Sequence, residues 1–207
     1  MKEKKSTMNH MYSAFKKKKG TTEGKNSVRP IRNIGWRYPP EAFVKINFDG
    51  AYNERQNQAA SDILVRDEEG KVLLSYSKIH YEISAAFAAE AIACSEAIQI
   101  EVERKWQHII IEGDSLAIIK RCNTKSQDRS MVGAYIYDIK QKIVGSNSIR
   151  FEHTLRSANG LAHLLASETL RRKEEVYLEK AVPEYAEERQ RMKGMKKKVG
   201  GEESFKI

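Results

Sequence analysis

Three acidic residues stand where they can do chemistry. The stretch "VKINFDG" closes on Asp49, and "HIIIEGDS" closes on Asp114. The run "SAAFAAEAIACS", Ser84 to Ser95, holds a single charge, Glu90. An unpaired buried carboxylate is costly, so Glu90 in a small, apolar helix must be exposed, paired or bound to a cation. Each aspartate follows an apolar stretch of strand character, and in parallel α/β sheets ligands bind at the carboxyl ends of strands. If the two strands are neighbours, both aspartates reach one corner, and Glu90 can point into it from its helix. Three converging carboxylates repel one another, which raises their pKa values or recruits divalent cations. Magnesium suits carboxylate and phosphate oxygens. Taken singly, an aspartate before glycine is a common turn residue, and Asp114 can simply cap the helix "SLAIIK". The shared arrangement is what gives the chemical reading its weight.

The positions of these residues depend on the elements around them. "AFVKINFDG" alternates Phe43, Lys45, Asn47 and Asp49 against Val44, Ile46 and Phe48, a strand pattern. "ASDILVRD", the turn "EEG" and "KVLLSYSKI" predict two more strands joined as a hairpin. Ser84 is placed to cap a long helix ending near Arg104. "QHIIIEGD" predicts a strand and "DSLAIIKRCN" a short helix. "MVGAYIYDIKQKIV" has helical periodicity, "SIRFEHT" reads as the last strand, and "SANGLAHLLASETLRRK" as the last helix. Three consecutive strands predict antiparallel pairing, and strands reached through helical crossovers lie parallel to the first. The expected class is therefore α/β: a mixed five-stranded sheet flanked by helices.

The chain has 207 residues and a net charge of +9, with 31% charged and 40% hydrophobic residues. That suffices for one domain with tails, and the basic excess favours an anionic partner, nucleic acid before a membrane surface. Residues 1–35 are lysine-rich and poor in apolar residues, which predicts a disordered basic tail, and residues 176–207 read as a second charged, lysine-rich tail. The domain is expected over 36–175. No apolar run approaches the ~18 residues of a membrane span, and the N-terminus lacks a secretory pattern. Cys94 and Cys122 have no metal-type spacing, so we expect no disulfide framework and an intracellular, reducing setting. The lysine runs at 16–19 and 196–198 suit phosphate contact, nuclear import or plain solvated tail.

"KINFDGAYN", "AFAAEAIAC", "IIIEGDSLAIIK" and "FEHTLRSANGLAHLLA" together resemble the ribonuclease H-like superfamily. They look most like stand-alone plant-type domains related to the ribonuclease H region of retroelement reverse transcriptases. The resemblance runs from residue 36 to about 173. It implies the ribonuclease H fold and hydrolysis of the RNA strand of RNA–DNA hybrids with two magnesium ions, for which manganese can substitute. The family's first three metal carboxylates match Asp49, Glu90 and Asp114, and Asp49 would bridge both ions. The fourth position, usually aspartate, is His163 here. Magnesium prefers oxygen ligands and manganese tolerates imidazole better, so His163 points to a metal ligand of altered preference or to a weakened enzyme. His153 matches the family's mobile catalytic histidine. Asn159, four residues before His163, is expected to orient the site or touch substrate, and Ser115 is a further substrate-binding candidate. The bacterial-type basic handle has no counterpart in "NTKSQDRS". The alternative to a working nuclease is a catalytically weakened nucleic-acid-binding module. Either is expected to act as a monomer without a membrane.

Overall fold

The computed structural model describes residues 35–144 and 149–190. Strands β1 (Val44–Asn53), β2 (Gln58–Arg66) and β3 (Val72–His80) come first, then helix α1 (Ala86–Arg104) and strand β4 (Ile109–Gly113). Helices α2 (Leu116–Asn123) and α3 (Gly133–Lys142) lead to β5 (Ile149–His153), α4 (Gly160–Arg172) and β6 (Val176–Glu179). Residues 184–190 are helical. The sheet order is β5-β4-β1-β2-β3-β6. β1, β2 and β3 pair antiparallel, whereas β4 lies parallel to both β1 and β5. The α/β class and the mixed pairing are those expected from the sequence.

The sheet has six strands, not five. β6 adds antiparallel to the free edge of β3, with Val176 opposite Ser77 and Glu179 opposite Leu74. The fold therefore continues past residue 175, and the expected tail 176–207 begins instead with a strand. Lys173 closes α4 in the left-handed conformation, its amide bonded to the Thr169 carbonyl, and this turn sends the chain back to β3. Val182 and Ala186 then bury against Leu64, Val72, Leu161 and Leu165. Four residues among charges give too weak an alternation to read as a strand. The expected tail over 1–35 and both lysine runs lie outside the described residues, apart from Gly35, as does 191–207.

A second correction concerns the start of α1. Ser84 does not cap it: the cap is Ala85, in extended conformation and without a side-chain bond. The Ile83 amide bonds to the Asn57 carbonyl, and the chain stays extended for two more residues before it turns.

The two faces of the sheet differ in chemistry. One carries Ile46, Phe48, Ile63, Val65, Leu74, Ile109 and Ile111, packed under the alanine-rich α1 and the buried isoleucines of α2 and α3. The other brings Lys45, Asn47 and Asp49 beside Arg66, Leu64 and Asp62 of β2, with Glu112 of β4 opposite Asn47. All of these are buried too, so the polar half of the alternation in β1 faces protein and not solvent.

Gly50 sets the distance between α1 and β1. A Cβ there would lie 2.5 Å from the Ala89 carbonyl carbon and 2.7 Å from the Glu90 nitrogen, backbone atoms that cannot move aside alone. Gly50→Ala should therefore push α1 away from the sheet and cost roughly 2 kcal/mol, the usual range for overpacking. Urea denaturation of the full chain checks this, and a midpoint equal to wild type would show that the contact is loose.

Candidate active site

Asp49 and Asp114 reach one corner because β1 and β4 are parallel neighbours. Asn47 lies opposite Glu112, Asp49 follows two residues on, and Asp114 comes directly after the last residue of β4. Gly113 makes room for the Phe48 ring, 2.4 Å from where a Cβ would stand. From the helix side, the close contact at Gly50 delivers Glu90, whose carboxylate accepts a hydrogen bond from the Gly50 amide. Asp49, Glu90 and Asp114 each offer one oxygen within 4.8 Å of the others, the group of this kind among the described residues.

Burial and mutual repulsion act on these acids as charge crowding requires. Burial first, then the charges of Asp49 and Asp114, push Glu90 up to about 9. Asp114 is raised by burial and by Asp49, with Arg156 and His163 opposing. Asp62, directly across from Asp49 on β2, is raised well above the carboxylate range, chiefly by its complete burial. Glu90 Oε2 has no hydrogen-bond partner. Three hard oxygen donors, one of them orphaned and held protonated, fit a divalent cation that would replace that proton.

Around the acids, the structure brings together most of the residues expected from the sequence. His163, on α4, donates from Nδ1 to Asp49 Oδ2 at 3.0 Å. It is not one of the three residues of the 4.8 Å group, and in a neutral ring with Nδ1 so engaged only Nε2 is left to ligate. Asn159, at the start of α4, donates to the Phe48 carbonyl at 2.8 Å and to Asp49 Oδ1 at 3.4 Å. It is 1% exposed, with its amide turned to the Phe48 carbonyl and the Asp49 carboxylate. His153 closes β5 at the rim, donating from Nε2 to the Asp114 carbonyl at 3.2 Å. Ser115 follows Asp114 at the start of α2, and its side chain makes no capping bond.

A family description, reverse transcriptase-like, matches residues 47–169, more than half of the chain. The chain belongs to the reverse transcriptase-like family. Its fold is that of the ribonuclease H-like superfamily. Similar solved structures include ribonuclease H1 from the halophilic archaeon Halobacterium salinarum NRC-1, at 20% identity and TM-score 0.57, covering 63% of this chain and 98% of that one. LC11 ribonuclease H1, solved with an RNA/DNA hybrid, matches at 18% identity and TM-score 0.56 over 63% and 98%. The N-terminal ribonuclease H domain of a Mycobacterium tuberculosis protein matches at 15% identity and TM-score 0.57 over 63% and 94%. At these identities the likeness is one of fold. No curated protein sequence matches.

Two residues of this ribonuclease H-like domain that the sequence reading passed over stand out in the structure. Arg156, in the turn before α4, places Nη1 3.6 Å from Asp114 Oδ2. Its Nη2 is 3.1 Å from His163 Nδ1 and 2.9 Å from Nε2. An atom nearly equidistant from both ring nitrogens cannot lie in the ring plane without striking Cε1, so the guanidinium rests on the ring face. Nothing in "HTLRSANG" marks Arg156, because it lies in an irregular turn without periodicity. Asn47 was legible in principle: two residues before Asp49 on a strand, it must share its face.

The raised Glu90 pKa has a stability consequence. Between an unfolded value near 4.5 and a folded value of about 9, the native state keeps a proton that the unfolded chain has lost. The metal-free fold is therefore favoured fully at low pH, and this contribution is lost as pH rises towards the folded value. Asp62 and Asp114 act in the same direction. With chelator present, wild-type urea midpoints should fall from pH 5 to pH 9, and those of Glu90→Gln should fall less. Parallel curves for the two proteins would mean that Glu90 is ionised throughout.

Proposed function

We propose that the domain is a metal-dependent endonuclease that hydrolyses the RNA strand of RNA–DNA hybrids. The observation that carries this reading is the convergence of Asp49, Glu90 and Asp114 within 4.8 Å just beyond the stretch over which β1 and β4 pair in parallel. The fold is shared with ribonucleases H1, one of them solved with an RNA/DNA hybrid. Asp49, Glu90 and Asp114, with His163 at the fourth position, would hold two divalent ions, magnesium or in its place manganese. When bound, such ions neutralise phosphate charge and activate water.

The remaining work falls to the chain's own residues. Glu90 gives up the proton that burial holds on it. Asn159 and His163 fix the Asp49 carboxylate through both of its oxygens. The exposed guanidinium of Arg156 offers a fork for a phosphate oxygen of the scissile strand. His153 carries a hydrogen on Nε2 at the rim, where a departing 3′ oxygen would need one. Ser115 borders the same rim. A hybrid would be recognised by groove shape and 2′-hydroxyls, not by base edges.

Residues 35–190 carry 21 Lys and Arg against 24 Asp and Glu, so the basic excess of the chain lies outside them. Attraction to a polyanion would then come from the terminal stretches with their lysine runs.

One observation favours a second reading, a nucleic-acid-binding module that cleaves poorly. Arg156 and His163 stand against the acids where the usual fourth carboxylate would be. Cleavage of a labelled hybrid in magnesium and then manganese separates the two. Asp49→Asn should abolish cleavage while the fold and hybrid binding persist, and undiminished cleavage would end the nuclease reading. Wild-type binding without cleavage in either ion would establish the module instead. His163→Asp should raise magnesium-supported cleavage about tenfold, which corresponds to roughly 1.4 kcal/mol of barrier. An unchanged rate and an unchanged preference between the ions would put His163 outside the metal shell.

A further inference from the structure

Asp49 is connected to Trp36 and Arg66 by a chain of side-chain amides whose direction is forced. Asn47 and Asn159 are both buried, 0% and 1% exposed, so neither can substitute water freely for a lost partner. The Oδ1 atom of Asn47 accepts from Trp36 Nε1 at 2.9 Å and from Arg66 Nη2 at 2.6 Å. Indole and guanidinium are donors that never accept, so this end of the Asn47 amide must be the oxygen. Its Nδ2 end therefore points the other way, donating to Glu112 Oε1 at 2.8 Å and to Asn159 Oδ1 at 3.3 Å. With its oxygen so engaged, Asn159 turns its own Nδ2 to the Phe48 carbonyl and the Asp49 carboxylate, which are acceptors. Flipping either amide would set donor against donor at one end and acceptor against acceptor at the other.

The surroundings keep this chain in place. Lys45 Nζ bonds Glu112 Oε2 at 2.8 Å, fixing the carboxylate that receives Asn47. The Arg66 guanidinium lies 3.6 Å from the centre of the Trp36 ring, which fixes the two donors against each other. Trp36 belongs to the segment that leads into β1, and through Asn47 it acts two residues from Asp49.

We propose that Asn47 is a positioning residue for Asp49: held by Trp36 and Arg66, it locks Asn159 in the orientation that donates to the Asp49 carboxylate. The inference rests on the reading of Asp49 as a metal carboxylate. Without Asn47, the buried Asn159 Oδ1 loses its donor, and only the Phe48 carbonyl and the Asp49 carboxylate itself are left to hold the amide, so its grip on Asp49 slackens.

The experiment uses the full chain and two readouts. In metal-free protein, side-chain amide exchange followed by NMR should show slow exchange of the Asn159 Nδ2 hydrogens, lost in Asn47→Ala. Calorimetric titration with magnesium and with manganese chloride should show metal affinity about tenfold weaker in Asn47→Ala. Adding Asn47→Ala to Asn159→Ala should change affinity no further, because one residue acts through the other. Asn47→Asp keeps the acceptor for Trp36 and Arg66 but faces Asn159 with an oxygen. It should weaken binding at least as much and serves if the alanine variant does not fold. A protected Asn159 amide in a folded Asn47 variant, additive losses in the double variant, or fast Asn159 exchange in wild type would each overturn the proposal. If wild type binds neither ion, the metal reading falls by itself, and the exchange data still decide whether Asn47 holds Asn159.

Discussion

Like charges converge only where something stronger holds them together. Asp49, Glu90 and Asp114 are set within 4.8 Å of one another, and the force that sets them there is the packing of α1 on the apolar face of the sheet. Ile46, Ile63, Ile98, Ile109, Ile111, Ile118, Ile136 and Ile139 are fully buried in that layer. Each such side chain contributes about 1.5–3 kcal/mol relative to exposure, so a handful of them outweighs the repulsion of a carboxylate cluster. The alanine run of α1 has its meaning here. Small side chains and Gly50 let the helix backbone touch β1, and only at that distance does Glu90 reach the strand ends.

The opposite face solves a different problem. Lys45, Asn47, Arg66 and Glu112 are withdrawn from water, and a buried charge is tolerable only with partners. Here the partners are mutual: the Lys45–Glu112 ion pair, the Asn47 amide between Arg66 and Glu112, and Trp36 over the guanidinium. Burial still presses Arg66 down to about 9, against the opposing charge of Glu112. An apolar layer of the same volume would hold the sheet to α4 as well. Directional hydrogen bonds do something that apolar contacts cannot, since they give the side chains next to Asp49 a single orientation.

Much of this was written in the sequence. The strand bearing Asp49, the strand leading to Asp114 and the helix bearing Glu90 follow from alternation, β-branched runs and small-residue content, although β1 does not close on Asp49 but runs on to Asn53. The corner where they meet follows from parallel pairing alone. β6 escaped because an edge strand of four residues leaves too short a pattern, with Tyr177 and Leu178 exposed on it. Ser84 misled because cap chemistry was present one residue before the turn that the backbone makes. Arg156 escaped for a deeper reason. Its place over His163 and beside Asp114 is a property of the folded turn, and no periodicity in the chain encodes a contact between an irregular segment and a strand end. The depth of Asn159 was likewise invisible, because polar residues on a helix face are ordinarily solvated.

A histidine at 163, where the proposed reading expects an aspartate, changes the balance at this corner in a definite direction. A fourth carboxylate would lie against Asp49 as a like charge and add to the pressure that raises Glu90 and Asp114. His163 instead donates to Asp49 Oδ2, and Arg156 draws near Asp114, so two of the three acids have a cationic or hydrogen-bonding neighbour before any metal arrives. The same contacts that ease repulsion in the metal-free fold must be given up or rearranged when a divalent ion enters. On the proposed metal reading, whatever these contacts contribute to the metal-free fold is subtracted from its affinity for a hard cation. Glu90 has the Gly50 amide and the opposing charge of Arg156, but its Oε2 is without a hydrogen-bond partner. On the proposed reading it is the point at which a cation has most to supply.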